Sequence, residues 1–202
     1  TSGNIVVVFN GEIYNYKEIR KQLRELGHVF KTSGDTEVLA HALHQWGQDA
    51  LKKLEGMWAF AWYNETTGTL LLSRDRFGEK PLYLWSKNNG LYFASEVKAL
   101  AILANDSLKV NENHLLRNLV NGYKALYKTN ETFFLEVKEL PSGTCLKIDS
   151  SGKTFSYNYW KPKLIENTNL SYSDAVDMTR EAVIKTTKLR MRSDVPIAFC
   201  LS

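Results

Sequence analysis

The sequence predicts a chain of two unequal parts: a larger mixed helix-and-strand domain, then the opening of a parallel α/β unit. Three observations carry this. A β-branched run, Ile5 to Phe9, precedes two segments with helical apolar spacing. From Met57 to Ala94, short strand-like runs alternate with turn pairs. Beyond Trp160 one long helical pattern runs straight into the apolar stretch Val195 to Ser202.

Taken in order, Ile5 to Phe9 reads as a buried strand ended by the turn pair Asn10-Gly11. Tyr16 to Leu26 reads as a helix with Ile19, Leu23 and Leu26 on one face and Gly27 as its stop. Ser33-Gly34-Asp35-Thr36 reads as a loop and N-cap before a second helix, whose apolar face is Leu39, Ala42, Leu43 and Trp46. A short helical turn near Ala50 to Leu54 precedes Met57 to Tyr63, which alternates small and aromatic residues as a strand does. Leu70 to Leu72 and Leu82 to Trp85 continue the β region around the charged turn Arg74 to Gly78, and Asn88-Asn89-Gly90 predicts a hairpin into Leu91 to Ala94. Val97 to Leu103 and Glu112 to Leu119 have helical spacing, and Thr144 to Ile148 is a strand. Tyr172 to Met191 reads as a long helix capped by Ser171 or Ser173, with Ala175, Met178, Ala182, Val183 and Thr186 inward.

Composition narrows the function classes. The 202 residues are 44% hydrophobic, 12% aromatic and 24% charged, which excludes disorder. Only 4 prolines exclude a Pro-rich linker. The charge, 26 basic against 22 acidic residues for a net +4, is interspersed, with a local excess only at Lys185 to Arg192; no nucleic-acid partner is expected. Cys145 and Cys200 form no CxxC pair, so neither a disulfide framework nor a zinc ribbon is indicated. Each reads as a small core residue. His41 and His44 share a helix face without a third ligand at useful spacing, so no metal is expected. No apolar run reaches about 18 residues, so no membrane partner is expected. The chain opens on Thr1 without an initiator Met and closes inside an apolar run; a fragment is expected.

Phe9-Asn10-Gly11-Glu12 is the most informative local feature. A strand ending in Asn-Gly can direct a side-chain amide and a backbone N–H to one point, as stabilisation of a tetrahedral oxyanion requires. Glu12, just beyond, suits an ammonium group, and Asp35 could accept from a substrate amine. Taken alone, Asn10-Gly11 reads first as a plain turn and Asp35 as a plain helix cap. Arg74 to Pro81 is dense in charge for a connecting turn and reads as structural, and Glu96 and Lys98 read as a surface pair. Ser202 could begin a phosphate loop at a strand's carboxyl end.

Seven ordered stretches decide among these readings: VVVFNGEIYNYKEIRKQL (Val6 to Leu23), GDTEVL (Gly34 to Leu39), LEGMWAFAWYN (Leu54 to Asn64), LLLSRDRFGEKPLY (Leu70 to Tyr83), LYFASEVKAL (Leu91 to Leu100), LPSGTCL (Leu140 to Leu146) and SDVPIAFCLS (Ser193 to Ser202). Together they closely resemble the glutamine-hydrolysing asparagine synthetases. The resemblance implies an α+β fold, an N-terminal-nucleophile αββα sandwich, over residues 1–162 as a class II glutamine amidotransferase domain lacking its N-terminal part. Residues 163–202 would begin an α/β ATP-pyrophosphatase domain. It also implies a cytoplasmic ligase that hydrolyses glutamine and passes the ammonia to an aspartate activated by ATP and Mg2+ as β-aspartyl-AMP. The products would be asparagine, glutamate, AMP and pyrophosphate. Family members often dimerise, which adds a second copy as an expected partner.

Residue by residue, the resemblance makes Asn10 and Gly11 the oxyanion hole and gives Glu12 and Asp35 the α-amino group of glutamine. Leu201 and Ser202 would belong to the ATP loop. The family's nucleophile, an N-terminal cysteine, and the arginine for the glutamine carboxylate have no counterpart from Thr1 onward, so this polypeptide alone is expected to release no glutamate. Two alternatives stay open: a related amidotransferase acting on another carboxylate in sugar or antibiotic assembly, and a non-catalytic relative serving as a binding module.

Overall fold

The computed structural model describes residues 4–164, 166 and 169–198. The first strand, β1 (Ile5–Ile13), is longer than predicted, running through Asn10-Gly11 instead of turning there. The reason is pairing: its antiparallel partner β2 (Gly56–Asn64) keeps register throughout, with Asn10 opposite Ala59, Gly11 opposite Trp58 and Ile13 opposite Gly56. A ladder that continues on both sides overrides the local turn preference of Asn-Gly.

Helix α1 (Tyr16–Glu25) buries Ile19 and Leu23, but Leu26 lies just past its end and is 54% exposed, outside the predicted face. Helix α2 (Asp35–Trp46) buries Val38, Leu39, Ala42 and Leu43 and stops at Gly47, whose φ of 56° suits glycine. A 3-10 turn (Gly47–Asp49) and the short α3 (Ala50–Lys53) return the chain to β2. Next come β3 (Thr69–Arg74), β4 (Tyr83–Lys87) and β5 (Gly90–Ala94), the last two joined through Asn88 and Asn89, both at positive φ as a tight hairpin requires. Helices α4 (Val97–Ala104) and α5 (Glu112–Asn121) follow, then a 3-10 segment (Tyr123–Lys128) and three strands, β6 (Val137–Glu139), β7 (Thr144–Ile148) and β8 (Thr154–Asn158). The 3-10 segment, β6 and β8 had no counterpart in the sequence reading.

The strands form two antiparallel sheets, ordered β1-β2-β3-β7-β8 and β5-β4-β6. Alternation along β2 sorts the layers. Trp58, Phe60 and Trp62 pack with Ile19, Leu23, Leu39 and Leu43 beneath α1 and α2, while Ala59 and Ala61 face the second sheet with Leu72, Leu82, Leu140 and Leu146. On the far side of the second sheet, Trp85 and Val137 pack against Leu100 of α4. The result is an αββα sandwich, the α+β class predicted.

Helix α6 (Tyr172–Arg190) is capped by Ser171, whose Oγ accepts from the Asp174 N–H at 3.1 Å. It buries none of its residues, and Met178 and Val183 are 59% and 58% exposed. The inward face expected for Ala175, Met178, Ala182, Val183 and Thr186 is therefore not formed, because no described element packs over it. Residues 195–198 form no strand, and Phe199 to Ser202, including Cys200, lie outside the described residues.

Candidate active site

The site grows from the end of β1. Side chains alternate along the strand, so Asn10 and Glu12 share one face while Phe9 and Ile13 turn to the helical layer. Gly11 between them is required by space. A Cβ there would lie 2.1 Å from the Met57 carbonyl oxygen, and one on Gly56 would lie 2.0 Å from that of Glu12. Two glycines thus let β1 and β2 approach closely where Glu12 is presented.

Asp35 reaches the same place from the first turn of α2. It is not the cap that the sequence suggested: Gly34 holds that position without a side-chain bond, and Asp35 Oδ2 instead accepts from the Ile13 N–H at 2.9 Å. The carboxylate is thereby tied to the residue after Glu12. The helix start is organised by Glu37, which turns back to accept from the backbone N–H groups of Lys31 and Thr32 at 2.8 and 2.7 Å.

Glu12 and Asp35 line one cleft of roughly 470 Å³, bordered also by Tyr14, Ser33 and the segment from Arg190 to Ile197 beyond α6. Burial first, and then the negative charges of Asp35 and Asp194, raise the Glu12 carboxyl above its ordinary range, with Lys80 opposing them. Carboxylates crowded in this way gain most from a cation placed between them.

Asn10 does not line this cleft. Its Nδ2 donates to Ser95 Oγ at 3.1 Å, which fixes the amide from the loop between β5 and α4 and leaves its second N–H without a partner among the described residues. Of the residues singled out in the sequence, Glu12 and Asp35 are brought together, Asn10 and Gly11 adjoin them along β1, and Leu201 and Ser202 lie outside the described residues.

The charged turn after β3 is a scaffold. The Asp75 carboxylate is fully buried and accepts from the backbone N–H groups of Trp58, Phe77, Glu79 and Lys80. Arg74 donates to the carbonyls of Gly78, Lys80 and Leu140 and pairs with Glu139. Together they hold Lys80 within electrostatic range of Glu12. Glu96 and Lys98 form the exposed pair expected. Cys145 is buried beside Tyr157, and burial pushes its thiol up to about 12, so it is inert at neutral pH. His28 contacts His41 through their Nδ1 atoms at 2.9 Å, yet no group of three or more His, Cys, Asp or Glu that could hold a metal ion forms among the described residues.

Sequence reasoning missed Ser95 and Arg192. Ser95 lies 85 residues from Asn10 and Arg192 lies 174 from Glu18, to which it is paired, so no local pattern links either to the site.

The sequence pattern of the glutamine amidotransferase domain matches residues 1–160. Asparagine synthetase [glutamine-hydrolyzing] 1 of Bacillus subtilis (strain 168) is 36% identical over 200 residues, covering 97% of this chain and 30% of the relative. Asparagine synthetase [glutamine-hydrolyzing] 3 of the same organism is 31% identical, covering 97% and 31%. The chain thus spans about a third of the length of these curated relatives. Among solved structures, glutamine phosphoribosylpyrophosphate amidotransferase from B. subtilis, complexed with ADP and GMP, superposes with a TM-score of 0.56 at 23% identity over 80% of this chain and 30% of that one. At that identity the likeness concerns the fold. No helix among the described residues is long and apolar enough to cross a membrane.

Proposed function

The chain belongs to the glutamine amidotransferase domain family, and on that premise we propose that it is the glutamine-hydrolysing part, with the start of the synthetase part, of a cytoplasmic ligase that makes asparagine. The observation that carries the reading is the pair Glu12 and Asp35 in one cleft, with Asp35 anchored on the Ile13 N–H. Such a pair holds the α-ammonium of glutamine between two carboxylates in a partly dehydrated site, where charge-assisted hydrogen bonds are strong.

With the ammonium seated there, the side-chain amide carbon of glutamine is directed along β1 toward Asn10 and Gly11. Attack by a thiolate, supplied in the family by an N-terminal cysteine, places negative charge on the carbonyl oxygen. The Asn10 side-chain amide and the backbone N–H of Gly11 donate to that oxygen and stabilise its charge. The proton given up by the thiol passes to the amide nitrogen, so that collapse expels ammonia and leaves a thioester, which water hydrolyses to glutamate and free thiol. Ser95 keeps the Asn10 amide oriented before substrate arrives.

ATP, when bound, activates the acceptor carboxylate for displacement by ammonia. The residues assigned to it, Leu201 and Ser202, lie outside the described residues, and no Mg2+ cluster forms among those described. Aspartate as the acceptor is supported by the naming of the relatives as asparagine synthetases over 97% of this chain.

In the full-length enzyme, Glu12→Gln and Asp35→Asn should each lower kcat/KM for glutamine about 100-fold, chiefly through KM, while synthesis from ammonium salts persists. Unchanged glutamine kinetics in both variants would remove these residues from the substrate site. Comparing aspartate with other carboxylates as acceptor decides between asparagine synthesis and a related amidation.

A further inference from the structure

The corner between β1 and α1 follows Glu12 directly, and it is restrained from three directions. Asp35 holds the Ile13 N–H, and the Tyr14 N–H donates to the Glu55 carbonyl at 2.8 Å. Asn15 bonds both the Lys53 carbonyl and the Glu55 N–H. Those partners belong to the sandwich. The third restraint comes from beyond α6: Arg192 Nη1 donates to the Tyr14 carbonyl at 2.9 Å and to Glu18 Oε2 at 2.6 Å, while Nη2 donates to Glu18 Oε1. Arg190 lies over the Tyr14 ring at 5.2 Å.

A planar guanidinium forked on one carboxylate has a fixed orientation, so the Glu18 pair aims the shared Nη1 at the Tyr14 carbonyl. The same segment, through Arg192, Ser193 and Asp194, lines the cleft together with Glu12 and Asp35. A single side chain therefore both lines the cleft and pins the backbone two residues after Glu12. No contact from Arg192 to Glu12 or Asp35 is needed for this effect.

We propose that Arg192 is a positioning residue of the glutamine cleft, transmitting the placement of the segment beyond α6 to Glu12 through the Tyr14 carbonyl and Glu18. The inference rests on the assignment of this cleft to glutamine. It adds that glutamine affinity depends on how the following part of the enzyme is docked, and the linkage is reciprocal: bound glutamine stabilises that docking.

The test uses the full-length enzyme and follows glutamate release and ammonia-dependent amidation in parallel, with the variants Arg192→Ala, Arg192→Lys and Glu18→Gln. Arg192→Ala should raise KM for glutamine about tenfold, with kcat and the ammonia-dependent rate within about twofold of wild type. Arg192→Lys, which keeps the charge but loses the fork, should fall between the two, and Glu18→Gln combined with Arg192→Ala should be no worse than Arg192→Ala alone. An unchanged KM, or a parallel fall in the ammonia-dependent rate, would overturn the proposal, the second by showing that Arg192 merely supports the fold. If Arg192→Ala does not fold, the KM of Arg192→Lys decides by the same criterion. Wild-type enzyme that releases no glutamate would overturn the glutamine assignment itself, an outcome distinct from active enzyme with unaltered KM.

Discussion

At Gly11 the ladder leaves no room for a side chain, since a Cβ would meet the Met57 carbonyl oxygen at 2.1 Å and the Trp58 Cα at 2.8 Å. Both obstacles are backbone, so relief requires the strands to part. Gly11→Ala is expected to cost on the order of 3 kcal/mol, read as a lower urea midpoint at unchanged m-value. Wild-type stability in that variant would show that β1 and β2 can separate without penalty. Asn10 and Glu12 were recognisable from their residue types, as an amide and a carboxylate flanking a glycine. Their partners were not. Ser95 and Arg192 reach the site across 85 and 174 residues, and only the folded chain brings them there.

Among the elements, α2 shows how a helix start can be organised without a capping side chain. Gly34 offers none, and Glu37 turns back onto the loop. Burial opposes the charge of this carboxylate, but the N–H groups of Lys31 and Thr32 and the Thr32 hydroxyl prevail and hold it at about 2, below the ordinary 4.5. Because its folded value is depressed, Glu37 contributes stability that is complete above about pH 4.5 and is lost as pH falls toward 2. Glu37→Gln should cost about 1–2 kcal/mol at pH 7 and much less near pH 2.5, measured by urea unfolding at both pH values. A loss equal at the two pH values would assign the effect to packing. The apolar spacing of α1 and α2 made both helices legible, because one face of each meets a core. Strands β6 and β8 were not legible, for opposite reasons. Val137–Glu139 is too short for a period to show, and Thr154–Asn158 is an edge strand whose exposed residues carry no alternation of burial.

In the whole molecule, the spacing between the two sheets is set by small residues. Ala59 and Ala61 of β2 face the second sheet, while their large neighbours Trp58, Phe60 and Trp62 fill the helical side. Ala61→Leu should therefore overpack the inter-sheet layer and cost about 1–3 kcal/mol, visible as a lower thermal midpoint. A neutral result would mean that the layer has unfilled space. The alternation of small and aromatic residues in this strand was plain in the sequence, and so was the α+β class. The long helix was also plain, but its inward face was not: amphipathic spacing identifies a stripe, whereas burial needs a neighbour, and α6 has none among the described elements that covers it. By itself, then, the sequence determined the strands and helices with a strong period, the family, and the residue types of the candidate site, since periodicity and chemistry are local properties. Tertiary structure alone decided that Asn10-Gly11 continues a strand, that Asp35 anchors the residue beyond Glu12, and that Arg192 lines the cleft and binds the Tyr14 carbonyl. Those outcomes depend on which distant backbone groups are left to be paired once the sheets have formed.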